Sequence, residues 1–134
     1  MANKTTILKP DSFPGDWYGW VTNQISHIFV GIALVFFASL ICFYSFGEMP
    51  NKLTIYGAIF AGYVAFEVLV QGWRGVDTVE DTTFVVGYGA AGVLAGFTEV
   101  EVGSPYLELN LLGLAPFFAV AIVHLIAGAM HRRS

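Results

Sequence analysis

Apolar residues run along this chain in four long blocks, and each block approaches the length of a membrane span. A hydrocarbon core of about 30 Å needs about 20 apolar residues in a helix rising 1.5 Å per residue. Residues 25–46 hold no Asp, Glu, Lys or Arg and form the first expected span. Residues 53–73 form the second, uncharged except for Glu67. Residues 82–98 form the third, uncharged, 17 residues long and rich in glycine (Gly87, Gly89, Gly92, Gly96). Residues 109–130 form the fourth, containing Pro116 and one ionisable side chain, His124. Both Pro and Gly are compatible with membrane helices, because neighbouring groups satisfy the freed backbone. The expected fold class is therefore all-α, a polytopic integral membrane protein with four transmembrane helices.

The polar segments order the rest. Residues 1–24 read as a cytoplasmic and interfacial segment, 25–130 as the membrane domain and 131–134 as a basic tail. Lys4 and Lys9 lead into Pro10, Asp11, Pro14, Gly15 and Asp16 instead of an apolar core, so the start is not a secretory signal. Trp17, Tyr18 and Trp20 precede the first span and Trp73 ends the second, positions where amphipathic rings favour the headgroup level. Four spans put both termini on one side. Lys4, Lys9, Arg74, Arg132 and Arg133 then share that side against Lys52 alone, which predicts N-in and C-in in a bacterial inner membrane.

Composition agrees with that solvent. Of 134 residues, 56% are hydrophobic and only 12% charged, against about a quarter charged in soluble domains. Mean hydropathy is +0.67. The formal charge of −4 excludes the basic footprint of a nucleic-acid binder. A lone cysteine, Cys42, excludes a disulfide framework.

Helix association in lipid depends on close backbone approach. Gly92 and Gly96 make a GxxxG step, with Gly89 a turn earlier, and Gly57/Ala61 and Ala58/Gly62 supply small pairs on the second helix. The second and third helices are thus expected to touch intimately, and the third offers a surface for homo-oligomerisation or for packing in a membrane complex.

Candidate chemistry is confined to a few costly groups. Three ionisable side chains fall within the spans: His27, Glu67 and His124. Glu67 and His124 each lie six residues, about 9 Å, from the same inner boundary. If the helix continues past Gly72, Glu67, Gln71 and Arg74 share a face; Asp77/Asp81 and Asn23/His27 are further pairs four apart. The expectation is one inner-leaflet cluster of His27, Glu67, Gln71, Arg74, Asp77, Asp81 and His124. Within it, a Glu67–Arg74 or Glu67–His124 pair could serve register alone, or the cluster could hold a ligand.

No cofactor is expected. His27, Glu67, Asp81 and His124 are acceptable ligand types for zinc or iron, but no HExxH-type spacing supports a metal. Axial haem ligation by His27 and His124 meets a depth mismatch of roughly 6 Å. No Ser-His-Asp set or phosphate loop is present.

The run containing Glu67, Gln71, Arg74, Asp77, Glu80 and Asp81, followed by Gly89 and Gly92, resembles the core pattern of VanZ-like membrane proteins. In these small multi-helix proteins a Glu and a Gln at a helix end precede an Arg and an Asp, then a Gly-containing helix. The likeness covers roughly 30 residues, with His27 in addition. Glu67 and Gln71 stand one residue further apart than in that pattern, and Gly87 and Tyr88 stand where an Asn usually follows the Asp. The resemblance implies an envelope or glycopeptide-susceptibility role, with Glu67, Arg74 and Asp81 carried over.

The function expected from these features is a non-enzymatic accessory or binding subunit with an inner-leaflet polar site for a lipid headgroup, small ligand or partner helix. The alternatives are a holin-like pore former and an enzyme acting on a lipid-linked substrate, with Glu67 as general base.

Overall fold

The computed structural model describes residues 12–48, 50–98 and 108–134. Lys4 and Lys9 of the expected N-terminal segment lie outside the described residues. Four helices follow one another: α1 (Trp17–Phe46), α2 (Lys52–Val70), α3 (residues 76–96) and α4 (Leu111–Arg133). Helices α1, α2 and α4 are long and apolar enough to cross a membrane.

Local chemistry starts and stops the helices. Asp16, Asn51 and Asn110 cap α1, α2 and α4, each side chain accepting from a backbone N–H of the first turn. Gly47, at φ 72°, closes α1 in the left-handed conformation that glycine adopts without penalty. Because capping begins at Asp16, residues 17–24 of the segment expected before the first span are already helix. At the other end α4 continues to Arg133, so the expected tail is a helical turn.

Helix α2 ends in π turns over Phe66–Val70, and α3 widens the same way over Thr83–Ala90 between α-helical ends Val76–Thr82 and Ala91–Gly96. After α3, Phe97–Thr98 (β1) pairs antiparallel with Glu108–Leu109 (β2), a two-residue ladder. The Lys52 ammonium donates to the Phe97 carbonyl, tying the start of α2 to the end of α3.

Helix α3 is the centre of the bundle. Phe84, Val85, Val86, Ala90, Val93 and Leu94 are all buried on it. Helix α1 meets it along one seam of Trp20, Gln24, Ile28, Gly31, Val35 and Ser39, spaced three or four apart and so on one face. The approach is backbone to backbone. A Cβ at Gly31 would stand 1.9 Å from the Val85 carbonyl oxygen, and one at Gly89 2.5 Å from that of Ile28.

The glycine contacts correct the expected packing. Gly92 faces Phe117 and Phe118 of α4, and Gly96 faces Leu114. Gly57 and Gly62 have nothing within 4 Å of a Cβ position, and Gly57, Ala61 and Gly62 are all exposed. The intimate contacts are thus α1–α3 and α3–α4. Small-residue spacing marks a face that permits close approach, but the rotation of each helix about its axis decides what fills it.

The two ends of the bundle differ. Val35, Ile55, Ile59, Ala90, Val93, Leu94 and Phe97 form an apolar core at one end. At the other, the start of α1, the end of α2, the start of α3 and the end of α4 come together, with a second apolar cluster of Trp20, Ile28, Phe84 and Ala121 beside the polar side chains Glu67, Arg74, Asp77 and Asp81.

Candidate functional site

The polar end is organised by the turn between α2 and α3. Gly72 and Gly75 both take positive φ, 79° and 64°, a conformation open to glycine at little cost. They reverse the chain and break the helix that would have put Arg74 on the Glu67 face. Arg74 instead sits at the apex of the hairpin, seven residues from Glu67 and seven from Asp81. Its terminal nitrogen donates to both, at 2.9 Å to Glu67 Oε2 and 2.9 Å to Asp81 Oδ2. Its backbone N–H donates to Thr78 Oγ1 at 2.9 Å.

Glu67 is fully buried. Tyr63 donates its hydroxyl to Glu67 Oε1 at 2.8 Å and Gln71 its amide at 3.3 Å, so with Arg74 the carboxylate has three donors. Three donors and an adjacent guanidinium compensate a charge that would be costly if left alone. The hydrogen bond to Glu67 raises the Arg74 pKa above its already high ordinary value, so the guanidinium stays charged.

Asp81 carries the network to α1. Gln24 donates its amide to Asp81 Oδ1 at 3.4 Å, and His27 Nδ1 lies 3.4 Å from the same oxygen. Asn23 Nδ2 is 3.3 Å from His27 Nδ1. Asp77 accepts from the Ser12 backbone N–H at 3.2 Å and from the Ser12 hydroxyl. Acidic side chains in the first turns of α3 also meet the positive end of its macrodipole.

A cavity of ≈ 250 Å³ opens here, lined by Ser12, Phe13, Asn23, Gln24, His27, Gln71, Arg74, Asp77 and Asp81. Six of the seven side chains expected to cluster are brought together: His27, Glu67, Gln71, Arg74, Asp77 and Asp81. Glu67 lies behind the cavity wall, sealed by its donors, which removes it as a solvent-reaching general base.

His124 is the exception. Its Nδ1 is 3.0 Å from the Tyr88 hydroxyl, and its ring lies 4.9 Å from that of Phe84 and 6.2 Å from that of Trp20. Equal depth along two helices does not make two side chains meet; α3 stands between α4 and the cavity, and its aromatic residues take up His124.

Trp20 also departs from its expected place. It is 1% exposed, over Gly128, and donates its indole N–H to Glu80 Oε2 at 2.8 Å. Arg132 stacks 4.3 Å above its ring and reaches Glu80 at 3.5 Å. Trp17 and Trp73 are exposed as expected of boundary residues.

Sequence reasoning missed Tyr63, Gln24 and Ser12 at this site. Tyr63 had a signal, lying four residues before Glu67 on the same helix. The symmetric spacing of two acids about Arg74, flanked by Gly72 and Gly75, was a second. Ser12, 65 residues from Asp77, had none.

Among the described residues no three His, Cys, Asp or Glu side chains are placed to hold a metal ion. The arrangement defines a helical bundle with a polar, partly satisfied cavity at one end. No protein-family model matches the chain, and no curated protein or solved structure matches it significantly.

Proposed function

We propose that this chain is a four-span integral membrane protein of a bacterial inner membrane, both termini inside, acting as a binding or accessory subunit through its inner-leaflet cavity. The observation that carries the reading is the cavity itself, where α1, the turn after α2 and α3 gather polar side chains around one space. Polar groups inside a span are costly and so mark functional sites by default.

The membrane part of the reading is supported by the outer surface. Phe29, Phe36, Phe37, Ile41, Leu69, Val123 and Ile126 are exposed, an apolar girdle too continuous for water. Helix α3, about 30 Å long at the helical rise, would cross inside the shelter of the other three. Exposed Trp17 and Trp73 would set the cavity at headgroup level. The exposed Gly57, Ala61 and Gly62 on α2 would accept a partner helix, either a second copy or another subunit.

Native mass spectrometry of the full chain, extracted in mild detergent, tests the binding reading. A retained non-protein mass or partner chain is expected, lost in Asp81→Asn while the helical circular dichroism persists. Bare protein in both forms overturns it.

A second reading, a VanZ-like envelope protein or an enzyme on a lipid-linked substrate, is favoured by one observation: the three positions carried by that resemblance, Glu67, Arg74 and Asp81, join through a single guanidinium. His27 beside Asp81, not Glu67, would then be the base. Turnover of a lipid phosphate lost in His27→Ala would favour it. The holin-like alternative leaned on the third helix as an oligomer surface, and Gly92 and Gly96 are used within the chain.

A further inference from the structure

The cavity has an unequal set of unmet needs. Gln24 is 1% exposed and lines it, yet its Oε1 has no hydrogen-bond partner. The amide cannot be turned to relieve this, because its nitrogen donates to Asp81 and the reverse orientation would face two oxygens toward each other. A buried amide oxygen without a donor costs free energy comparable to a lost hydrogen bond. Beside it stand the carboxylates of Asp77 and Asp81, each with accepting capacity beyond the bonds it makes, since a carboxylate has about four lone-pair sites.

Among the described residues that line the cavity, positive charge is scarce: Arg74 is the one guanidinium, and its terminal nitrogen is shared between Glu67 and Asp81. Two carboxylates, Asp77 and Asp81, line the described part of the space with this committed cation, and His27 stands beside Asp81. An anion entering would meet two like charges at close range and a guanidinium already paired; a cation would meet the reverse. A metal ion is a poor candidate, because no three acidic, His or Cys side chains among the described residues are placed for one.

Resting on the reading of this cavity as a binding site, we infer that it takes a primary ammonium group, donated to Gln24 Oε1, Asp77 and Asp81. A primary ammonium carries three N–H donors and no acceptor, which matches this shortage. A quaternary ammonium has no donors and is held by aromatic cages of Trp, Tyr and Phe; among the described residues lining this cavity Phe13 alone is of that kind. The volume, ≈ 250 Å³, is below that of pockets for drug-sized molecules and suits an aminoethyl group. That group has two sources, the ethanolamine headgroup of a phospholipid and a free small amine.

The full chain in detergent is titrated with phospholipids of identical acyl chains bearing ethanolamine, choline or glycerol headgroups, read by native mass spectrometry, and with soluble ethanolamine, read by calorimetry. Retention of the ethanolamine lipid should exceed that of the choline lipid by roughly tenfold or more, and Gln24→Leu and Asp77→Asn should each abolish most of that difference. Ser39→Ala, on the same helix but away from the cavity, should leave it intact. Soluble ethanolamine that binds and displaces the lipid identifies a free amine as ligand; binding of the lipid alone identifies the headgroup.

Equal retention of the three lipids without binding of the soluble amine overturns the ammonium assignment, as does selectivity that survives both substitutions in folded protein. A glycerol lipid preferred, and lost in Gln24→Leu, overturns the assignment while leaving the binding reading standing. Should Gln24→Leu fail to fold by circular dichroism, Asp77→Asn decides alone.

Discussion

The two ends of this bundle are held by different physics. At the apolar end, Val35, Ile59, Val93 and Phe97 pack side chain against side chain, with the Lys52 ammonium on the Phe97 carbonyl as a polar tie. At the polar end, one guanidinium joins α2 to α3, and Gln24 and His27 join α3 to α1. Between them, glycines let α1 and α3 touch at the backbone. In lipid, burying apolar surface supplies no driving force between helices, so packing contacts and interhelical hydrogen bonds must do the work. The cavity described above lies where such hydrogen bonds join α1, the turn after α2 and α3.

Removing the hub should have the largest effect. Arg74→Met leaves Glu67 buried beside no cation, and breaking one side of a buried pair costs about 3–5 kcal/mol. The loss should appear as a strongly lowered midpoint when unfolding in detergent is followed by circular dichroism. A small shift would mean that Tyr63 and Gln71 suffice to hold Glu67. Replacing Glu67 and Arg74 together by Gln should cost less than the sum of the single changes.

The glycine seam comes next. Gly31→Ala pushes a methyl group into the Val85 carbonyl, a backbone atom that cannot swing aside, and should cost about 3 kcal/mol, the upper end of ordinary overpacking. Gly57→Ala, with open space around it, should stay within about 0.5 kcal/mol in the same unfolding assay. Equal responses would put the close approach on α2 after all.

The smallest effect tests whether His124 belongs to the polar network. Tyr88→Phe removes one hydrogen bond in an aromatic setting and should cost about 0.6 kcal/mol, the average for interhelical bonds within a membrane protein. Binding at the cavity, read by native mass spectrometry, should not change. A change there would reconnect His124 to the site.

Much of the arrangement was legible in the chain. The apolar blocks marked α1, α2 and α4, and the concentration of Glu67, Arg74, Asp77 and Asp81 within fifteen residues marked the polar end. The order of the elements made their proximity nearly inevitable, since a short turn returns the chain beside itself. Residues whose roles depend on distant partners were not legible. Trp20 looks like a boundary residue until Glu80 and Arg132 close over it, and His124 looks like a partner for Glu67 until α3 intervenes.

The sequence by itself determined how many helical blocks there are and which end of each is polar, because length and hydropathy act locally along the chain; α1 and α3 begin at residues 17 and 76, ahead of their apolar blocks. Only the tertiary structure decided that α3 is the central helix, that Arg74 turns back to bridge two acids, and that Gln24 is buried with an oxygen unmet. These depend on how each helix is rotated about its axis and on the path through Gly72 and Gly75, and such rotations are fixed by contacts between segments, which spacing within one segment does not encode.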